Sequence, residues 1–383
     1  LACFQSAAAQ PYAPALYRLG DALAAGRGVE ASPAQAVRCF EAAARQGYAP
    51  AQAELGRSYL RGSGVPLNRE TAFAWLARAE AQGHPDGSTA HALCLIRGYG
   101  VAPDAAQGML AMRRAAHRGS ATAQLALGLQ LLEHGDPEGV DWLHCAAQAG
   151  NAKAQARFAR CLSEGMNVPR DPEAAAHWNA QAAHQGEAAA QLALGLALRT
   201  GAGTRRDPRQ ARVWLRRAAE QNNSEAQTWL GFMLLQETGR RHATDREEGL
   251  AWVRRAAEAG FAQAQYLLGI CLYAGYGGTA QAPAEALKWF LAAAGQQVLP
   301  ARILAAFCYY QGVGAPRDRA EAFRQFSVAA EQGSPVAQIW LAYCYVHGEG
   351  VDVDLKLARD WAQKAWRQGH PGGHQMLRKI PRE

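Results

Sequence analysis

Apolar and polar positions along the chain recur in blocks. The clearest block opens with AQAELGRSYLRG at residues 51–62 and resumes at residue 68 with NRETAFAWLARAEAQG. In both stretches apolar residues return every three or four positions, the spacing of one helical face. The pattern predicts a first helix from about Pro50 to Arg61 and a second from about Asn68 to Gln82. A small residue, Gly56, sits within the first helix and would let another helix come close. Its equivalents are Gly20, Ala92, Gly128, Ala159, Gly195, Gly231, Gly269, Ala306 and Ala342, at successive spacings of 36, 36, 36, 31, 36, 36, 38, 37 and 36. A period in the thirties held over ten copies is the mark of a stacked repeat architecture. The expected fold is all-α: an α/α superhelical solenoid of about ten helix-turn-helix repeats. It would run over residues 1–383 as one domain, at least about 70% helical, without sheet, elongated, curved and monomeric.

The turn chemistry agrees with this reading. Between the two helices a G-x-G pair recurs, at Gly26/Gly28, Gly62/Gly64, Gly98/Gly100, Gly201/Gly203, Gly275/Gly277, Gly312/Gly314 and Gly348/Gly350. A glycine just past a helix supplies the left-handed cap. Twelve residues after the small marker stands a capping type: Ser32, Asn68, Asp104, Asp171, Asp207, Asp318 or Asp354. Pro33, Pro172 and Pro208 follow directly, at the favoured first helical position. Trp75, Trp178, Trp214 and Trp361 lie nineteen residues after the marker and Trp289 twenty, and Trp142 and Trp252 fill the same slot after length changes. A tryptophan at so fixed a slot is expected to pack helix pairs together rather than to stack a ligand.

Residues 3–15, CFQSAAAQPYAPA, match residues 39–51, CFEAAARQGYAPA, at nine of 13 positions. Cys3 therefore holds a repeat position, which competes with the lipoprotein-like look of Leu1-Ala2-Cys3, and the sequence starts inside a repeat. The composition, 49% hydrophobic and 19% charged, fits a folded protein rather than a disordered one. No stretch of about 18 uncharged apolar residues is present, so no membrane-spanning helix is expected. The net charge is +7, almost all of the basic residues being Arg.

The pattern A-x-x-L-G-x-x-Y-x-x-G-x-G-V, followed by D/N, A and W-x-x-x-A-A-x-x-G, resembles the Sel1-like repeat family, relatives of the tetratricopeptide repeats. The resemblance covers nearly the whole chain. It implies a concave inner surface and a scaffold or adaptor that binds another protein or peptide, of a kind found in bacterial envelope assembly, secretion, signalling and host interaction. Periplasm or envelope is accordingly expected over cytoplasm. An inhibitor or immunity-type protein that neutralises one effector is the competing reading, and a hydrolase or β-lactam-binding enzyme a third. His91-Ala92 replaces Leu-Gly in copy three, copy four lacks five residues near Glu133–Glu138, and copy seven carries an insertion near Arg240–Thr244.

Chemistry-bearing motifs are absent. Cys94, Cys161, Cys271, Cys308 and Cys344 all fall two residues after the marker. Same-slot cysteines in successive repeats are expected to be reduced, buried and apolar in role. The family's disulfide-rich members pair a first-helix with a second-helix cysteine within a repeat, an arrangement approached here only by Cys145 and Cys161, which belong to neighbouring copies. There is no C-x-x-C, no HExxH and no P-loop, and His370 and His374 are separated by Pro-Gly-Gly. No Ser has Lys three residues later and no G-x-S-x-G elbow occurs. No catalysis, cofactor or metal is expected. The pairs Arg113-Arg114, Arg216-Arg217 and Arg254-Arg255 have acidic residues nearby and read as a solvated outer face, not a nucleic-acid surface.

What remains is a binding face. At 100° per residue, the stripe one and four positions after the marker should be polar on a simple amphipathic helix. In the C-terminal half it reads Phe232, Leu235, Ile270, Tyr273, Phe307, Tyr310, Tyr343 and Val346, extended by Tyr266, Ile303 and Ile339 three positions before the marker. Arg57, Arg61, Arg97, Arg160 and Arg199 lie on or beside it in the N-terminal half. The expectation is an aromatic groove over copies seven to ten and an Arg-richer one over copies one to six. The stripe's burial against neighbouring repeats or a final capping helix is the alternative.

Overall fold

A computed structural model describes residues 12–236, 243–276 and 280–381. Cys3, Gly277 and most of the copy-seven insertion lie outside these residues. Among the described residues there are 21 α-helices, no strand, and 75% helix. The chain divides into two compact units, 1–206 and 207–383. In the first the helices are α1 (Ala13–Ala25), α2 (Pro33–Arg45), α3 (Ala49–Arg61), α4 (Arg69–Ala81), α5 (Pro85–Arg97), α6 (Ala105–His117), α7 (Ala121–Glu133), α8 (Glu138–Gln148), α9 (Ala152–Glu164), α10 (Pro172–His184) and α11 (Ala188–Thr200). The second holds α12 (Pro208–Glu220), α13 (Ser224–Leu235), α14 (Ala243–Glu258), α15 (Ala262–Ala274), α16 (Pro283–Gly295), α17 (Leu299–Gln311), α18 (Arg319–Glu331), α19 (Pro335–His347), α20 (Leu355–Arg367) and α21 (Pro371–Lys379).

Within each unit a helix packs on the one before it and the one after it, as a repeat stack requires. The small marker faces the second helix of its own repeat. A Cβ added at Gly56 would lie 2.7 Å from Leu76 Cγ, and one at Gly269 would lie 2.6 Å from the Phe290 ring. The residue that fills this contact stands twenty positions after the marker, or twenty-one in the longer copy eight. Leu76, Leu215, Phe290 and Phe326 there are fully buried, each contributing about 1.5–3 kcal/mol from apolar burial. Tryptophan, one position earlier, is turned by 100° and reaches only the flank of the core. Trp214 is buried, but Trp75, Trp142, Trp178, Trp252, Trp289 and Trp361 are half-buried. The tryptophan slot therefore sits beside the core rather than in it.

The caps fall where the turn residues place them. Asn68, Asp104, Asp171, Asp207, Asp318 and Asp354 each accept a hydrogen bond from a first-turn backbone N–H. Ser32 does not, its role being taken by Pro33 at the first helical position. The second glycine of the G-x-G pair has a use that local turn chemistry does not reveal. A Cβ on Gly64 would meet the Pro33 carbonyl oxygen at 2.3 Å, and one on Gly100 the Arg69 carbonyl oxygen at 2.0 Å. The loop of each repeat thus rests on the first turn of the preceding repeat's second helix.

The junctions also carry buried polar ties. Gln52, Gln155, Gln227 and Gln338, four residues before the marker, are buried and donate to the carbonyls of Ala44, Ala147, Ala219 and Ala330. These carbonyls belong to the last turn of the preceding second helix, where the intrahelical ladder leaves acceptors unfilled. The amide oxygens of Gln52, Gln155 and Gln338 accept from Gln82, Gln185 and Gln368 at the end of their own repeat.

The arginine pairs are not a simple solvated face. Arg113, Arg216 and Arg254 reach the next repeat's second helix and bond Glu138, Glu248 and Glu285. The same carboxylates accept from the indole N–H groups of Trp142, Trp252 and Trp289. Arg217 and Arg255 stack on Trp214 and Trp252. These clamps are half-exposed, so each adds at most about 1 kcal/mol. Cys94, Cys161, Cys271, Cys308 and Cys344 are free and buried as expected, whereas Cys39 is half-buried and Cys145 exposed.

Candidate functional site

In the second unit the stripe is neither a free surface nor a core. Phe232, Leu235, Tyr266, Ile270, Ile303, Phe307, Tyr310, Ile339, Tyr343 and Val346 are all half-buried, and Tyr273 alone is exposed, at 38%. Phe307 meets the buried Phe326 ring edge-on at 5.2 Å and Trp340 at 5.0 Å. Trp340 in turn lies 5.5 Å from Tyr310 and 5.4 Å from Tyr343. Such spacings are those of favourable aromatic pairs. Burial, and then a hydrogen bond with the Tyr343 hydroxyl, pushes the Tyr310 hydroxyl up to about 12. Arg317 and Arg319 approach the Tyr310 ring at 5.7 and 5.9 Å. Beside this cluster a cavity of about 290 Å³ opens between Tyr273, Leu304, Phe307 and Gln311. At the far end Ile339, Tyr343 and Val346 pack with Met376 and Ile380, in and just after α21. The final helix therefore covers part of the last copy's stripe, which is why its apolar residues need not face solvent.

Trp340 is the centre of the cluster and was not among the expected residues. It stands two positions before the marker, a place the one-and-four stripe omits but that a helix turns to within reach of it.

In the first unit the five arginines are not brought together. Arg57 is held by Glu54 and by Asp86 of the next repeat, so it is a junction tie. Arg61 and Arg97 are exposed at the ends of α3 and α5, and Arg199 is half-buried with a partner of its own. Only Arg160, paired with Glu164 at 3.1 Å, lines a sizeable cavity. That cavity, of about 540 Å³, runs across α7, α9 and α11. Its floor is apolar, made by Leu125, Leu129, Leu192 and Leu196, and Lys153 and Arg157 stand at its rim with Glu187. Neither Lys153 nor Arg157 makes an ion pair among the described residues. The floor of this groove is leucine rather than arginine, because the stripe position one after the marker is Leu129 and Leu196 in copies four and six.

Asn179 lies at the bottom of this cavity. It occupies the slot that holds Leu76, Leu215, Phe290 or Phe326 in other repeats, is only 8% exposed, and its side chain makes no hydrogen bond among the described residues. Its amide offers both a donor and an acceptor to whatever enters. The signal was present in the sequence, as an amide in an apolar column, but only the exact core slot gives it meaning.

No group of His, Cys, Asp and Glu that could hold a metal ion occurs among the described residues. His370 caps α21, its Nδ1 accepting from the Gly372 N–H, while His374 lies against Trp366. No described helix is long and apolar enough to cross a membrane.

The Sel1 repeat family matches residues 13–48, 49–84, 121–151, 152–187, 188–223, 224–261, 262–297, 300–334 and 335–370. The matched segments skip residues 85–120, which nonetheless fold as the helix pair α5 and α6. The chain has no significant relative among curated proteins. Among solved structures it is similar to c5321, a protective antigen present in uropathogenic Escherichia coli strains. The identity is 27%, covering 98% of this chain and 89% of that one, with a TM-score of 0.56. It is equally similar to a Sel1 repeat protein from Oxalobacter formigenes, at 27% identity over 63% of this chain and 96% of that one, TM-score 0.55. An immunity protein from Pseudomonas aeruginosa, Pa5087, is 18% identical over 60% of this chain and 88% of that one, with a TM-score of 0.37. Nine matched repeats, and a helix pair in every one, make the chain a member of the Sel1 repeat family.

Proposed function

We propose that this protein is a non-catalytic adaptor that holds a segment of a partner protein on the first-helix faces of its repeats. The observation that carries the reading is the leucine-floored cavity over α7, α9 and α11, with the unpaired amide of Asn179 at its base and Lys153 and Arg157 at its rim. An apolar side chain of the partner would lie on the leucines, its backbone amide on Asn179, and an acidic group toward the two basic residues. In the second unit, Tyr273 and the rings of Tyr310, Trp340 and Tyr343 offer a further apolar contact of the type that anchors interfaces.

Asn179→Leu separates binding from folding, because it installs the residue that sibling repeats carry. The variant should fold at least as stably as the parent, by thermal denaturation. A photo-crosslinker placed at Leu129 should capture a discrete partner from extracts of the native host, and Asn179→Leu should lower that capture about tenfold, the effect of one or two lost buried hydrogen bonds. Capture from the opposite side alone, with a crosslinker at Arg217, would overturn the reading. A one-to-one complex that abolishes an enzymatic activity of the captured protein would identify an inhibitor rather than an adaptor.

A further inference from the structure

The third repeat departs from its siblings at three slots that meet in space. The buried glutamine four residues before the marker is Ser88, the glutamine that closes the repeat is Arg118, and the tryptophan slot is Ala111. In other repeats these slots hold a Gln–Gln bond, as between Gln52 and Gln82, and an indole under a stacked cation, as Trp75 under Arg78. Their loss leaves a cavity of about 280 Å³ between α4, α5 and α6. Its walls include Ala77, Ala81 and Ala111, residues too small to fill it.

One polar group left at this cavity is buried and unsatisfied. Ser88 is 3% exposed, and its hydroxyl has no hydrogen-bond partner. Arg114 holds the place of Arg78 but has no indole to stack on. Arg118 takes the place of Gln82, its guanidinium within reach of the Gly83 turn, 3.8 Å from where a Cβ there would stand. Neither arginine makes an ion pair among the described residues. The lining also holds one carboxylate, Glu80, whose Oε2 lies 2.5 Å from His91 Nδ1; burial lowers the pKa of that imidazole, so it does not cancel the carboxylate's charge. Two exposed guanidinium groups against one carboxylate leave this pocket, too small for a folded element, with an excess positive charge, suited to one small anionic group with several acceptor oxygens.

We propose that this cavity is a binding site for a small oxyanion, a phosphate or carboxylate group, held by Arg114 and Arg118. The site is separate from the first-helix faces and does not depend on them. It arises because three positions of this repeat differ from their siblings, so that an internal polar tie gives way to a pocket lined by two arginines.

Inorganic phosphate and acetate, titrated into the full chain at constant ionic strength, test the proposal. Amide resonances of Gly83, Ser88 and Arg118 should shift with at least one of them, at a dissociation constant of about 1 mM, as expected of two exposed arginines. Which of the two binds more tightly distinguishes phosphate from carboxylate. The Ser88→Gln/Arg118→Gln variant restores the residue pair that other repeats use, so it should stay folded and bind at least tenfold more weakly. Arg114→Gln should weaken binding without altering the melting temperature. Unchanged binding in the restored variant, or no shift at these residues with either anion, would overturn the proposal.

Discussion

Gln155 shows how much a single position does in this fold, and why a reading of apolar faces passes over it. Its amide bonds the last carbonyls of one repeat and the closing glutamine of another, yet a polar residue in a helix reads as solvent-facing until its burial is known. The cysteine column was the reverse case. Five thiols in one register could be read as buried apolar residues directly, because recurrence in a fixed slot beside a small residue leaves little room for other chemistry. Burial pushes Cys94, Cys271 and Cys308 up to about 11 and Cys344 up to about 12, from an ordinary 9.0. The folded chain therefore keeps these protons where the unfolded chain has lost them. The stability this confers is complete below pH 9 and is lost progressively as pH rises from about 9 through 11 to 12. Urea unfolding midpoints should fall across that window, and replacing the four cysteines by alanine should flatten the fall. An equally steep decline in the alanine variant would place its origin in other groups. The exposed Cys145 should meanwhile be the first of the described thiols to be alkylated in the native protein.

At the scale of the helix and its loops, the sequence declared its boundaries well. The expected first helix of copy two, Pro50 to Arg61, is Ala49–Arg61, and the second is Arg69–Ala81 between its caps Asn68 and Gln82. Caps and glycines act within a few residues, so their effect can be read from a few residues. Contacts between repeats cannot. Nothing local distinguishes the second glycine of the G-x-G pair from a merely flexible one. In the structure Gly64 has φ +75° and no room for a Cβ, which would stand 2.3 Å from the Pro33 carbonyl. Gly47 has φ +85° and nothing within 4 Å. Gly47→Ala should therefore cost about 1 kcal/mol, the price of the left-handed conformation. Gly64→Ala should cost about 2 kcal/mol or more, because the loop must also lift off the preceding helix. Urea denaturation of the two variants compares them directly, and equal losses would show that the backbone conformation alone sets the requirement for glycine. The arginine pairs teach the same lesson. Their opposite charges stand some 25 to 32 residues away on the next second helix, so the acidic neighbours along the sequence misdirected the reading toward a solvated face.

For the molecule as a whole, the period alone fixed the class of fold, while the binding faces were legible only in part. The aromatic stripe of the second unit was visible as an excess of apolar residues in a polar register. Its half-burial was not, because each ring divides its surface between its own helix, the next repeat and, in copy ten, α21. The groove of the first unit escaped notice since it depends on one asparagine in an otherwise apolar column. Both follow from an architecture in which stability is the sum of many similar junctions rather than one core. That sum has a measurable consequence. Phe326, on α18, is fully buried against Phe307 of α17 and Trp340 of α19 and supports both. Phe326→Ala should remove about 3–5 kcal/mol, but only where the junctions around copy nine carry the load. Native-state hydrogen exchange should show lost protection in α17 to α20, with the amides of α3 to α6 unchanged at low denaturant. Unfolding should also spread over a wider urea range than in the parent, since one weakened junction lets neighbouring repeats open before the rest. A uniform loss of protection from α3 to α20, with a single sharp transition, would mean that the repeats fold as one cooperative body and that the nearest-neighbour account is wrong.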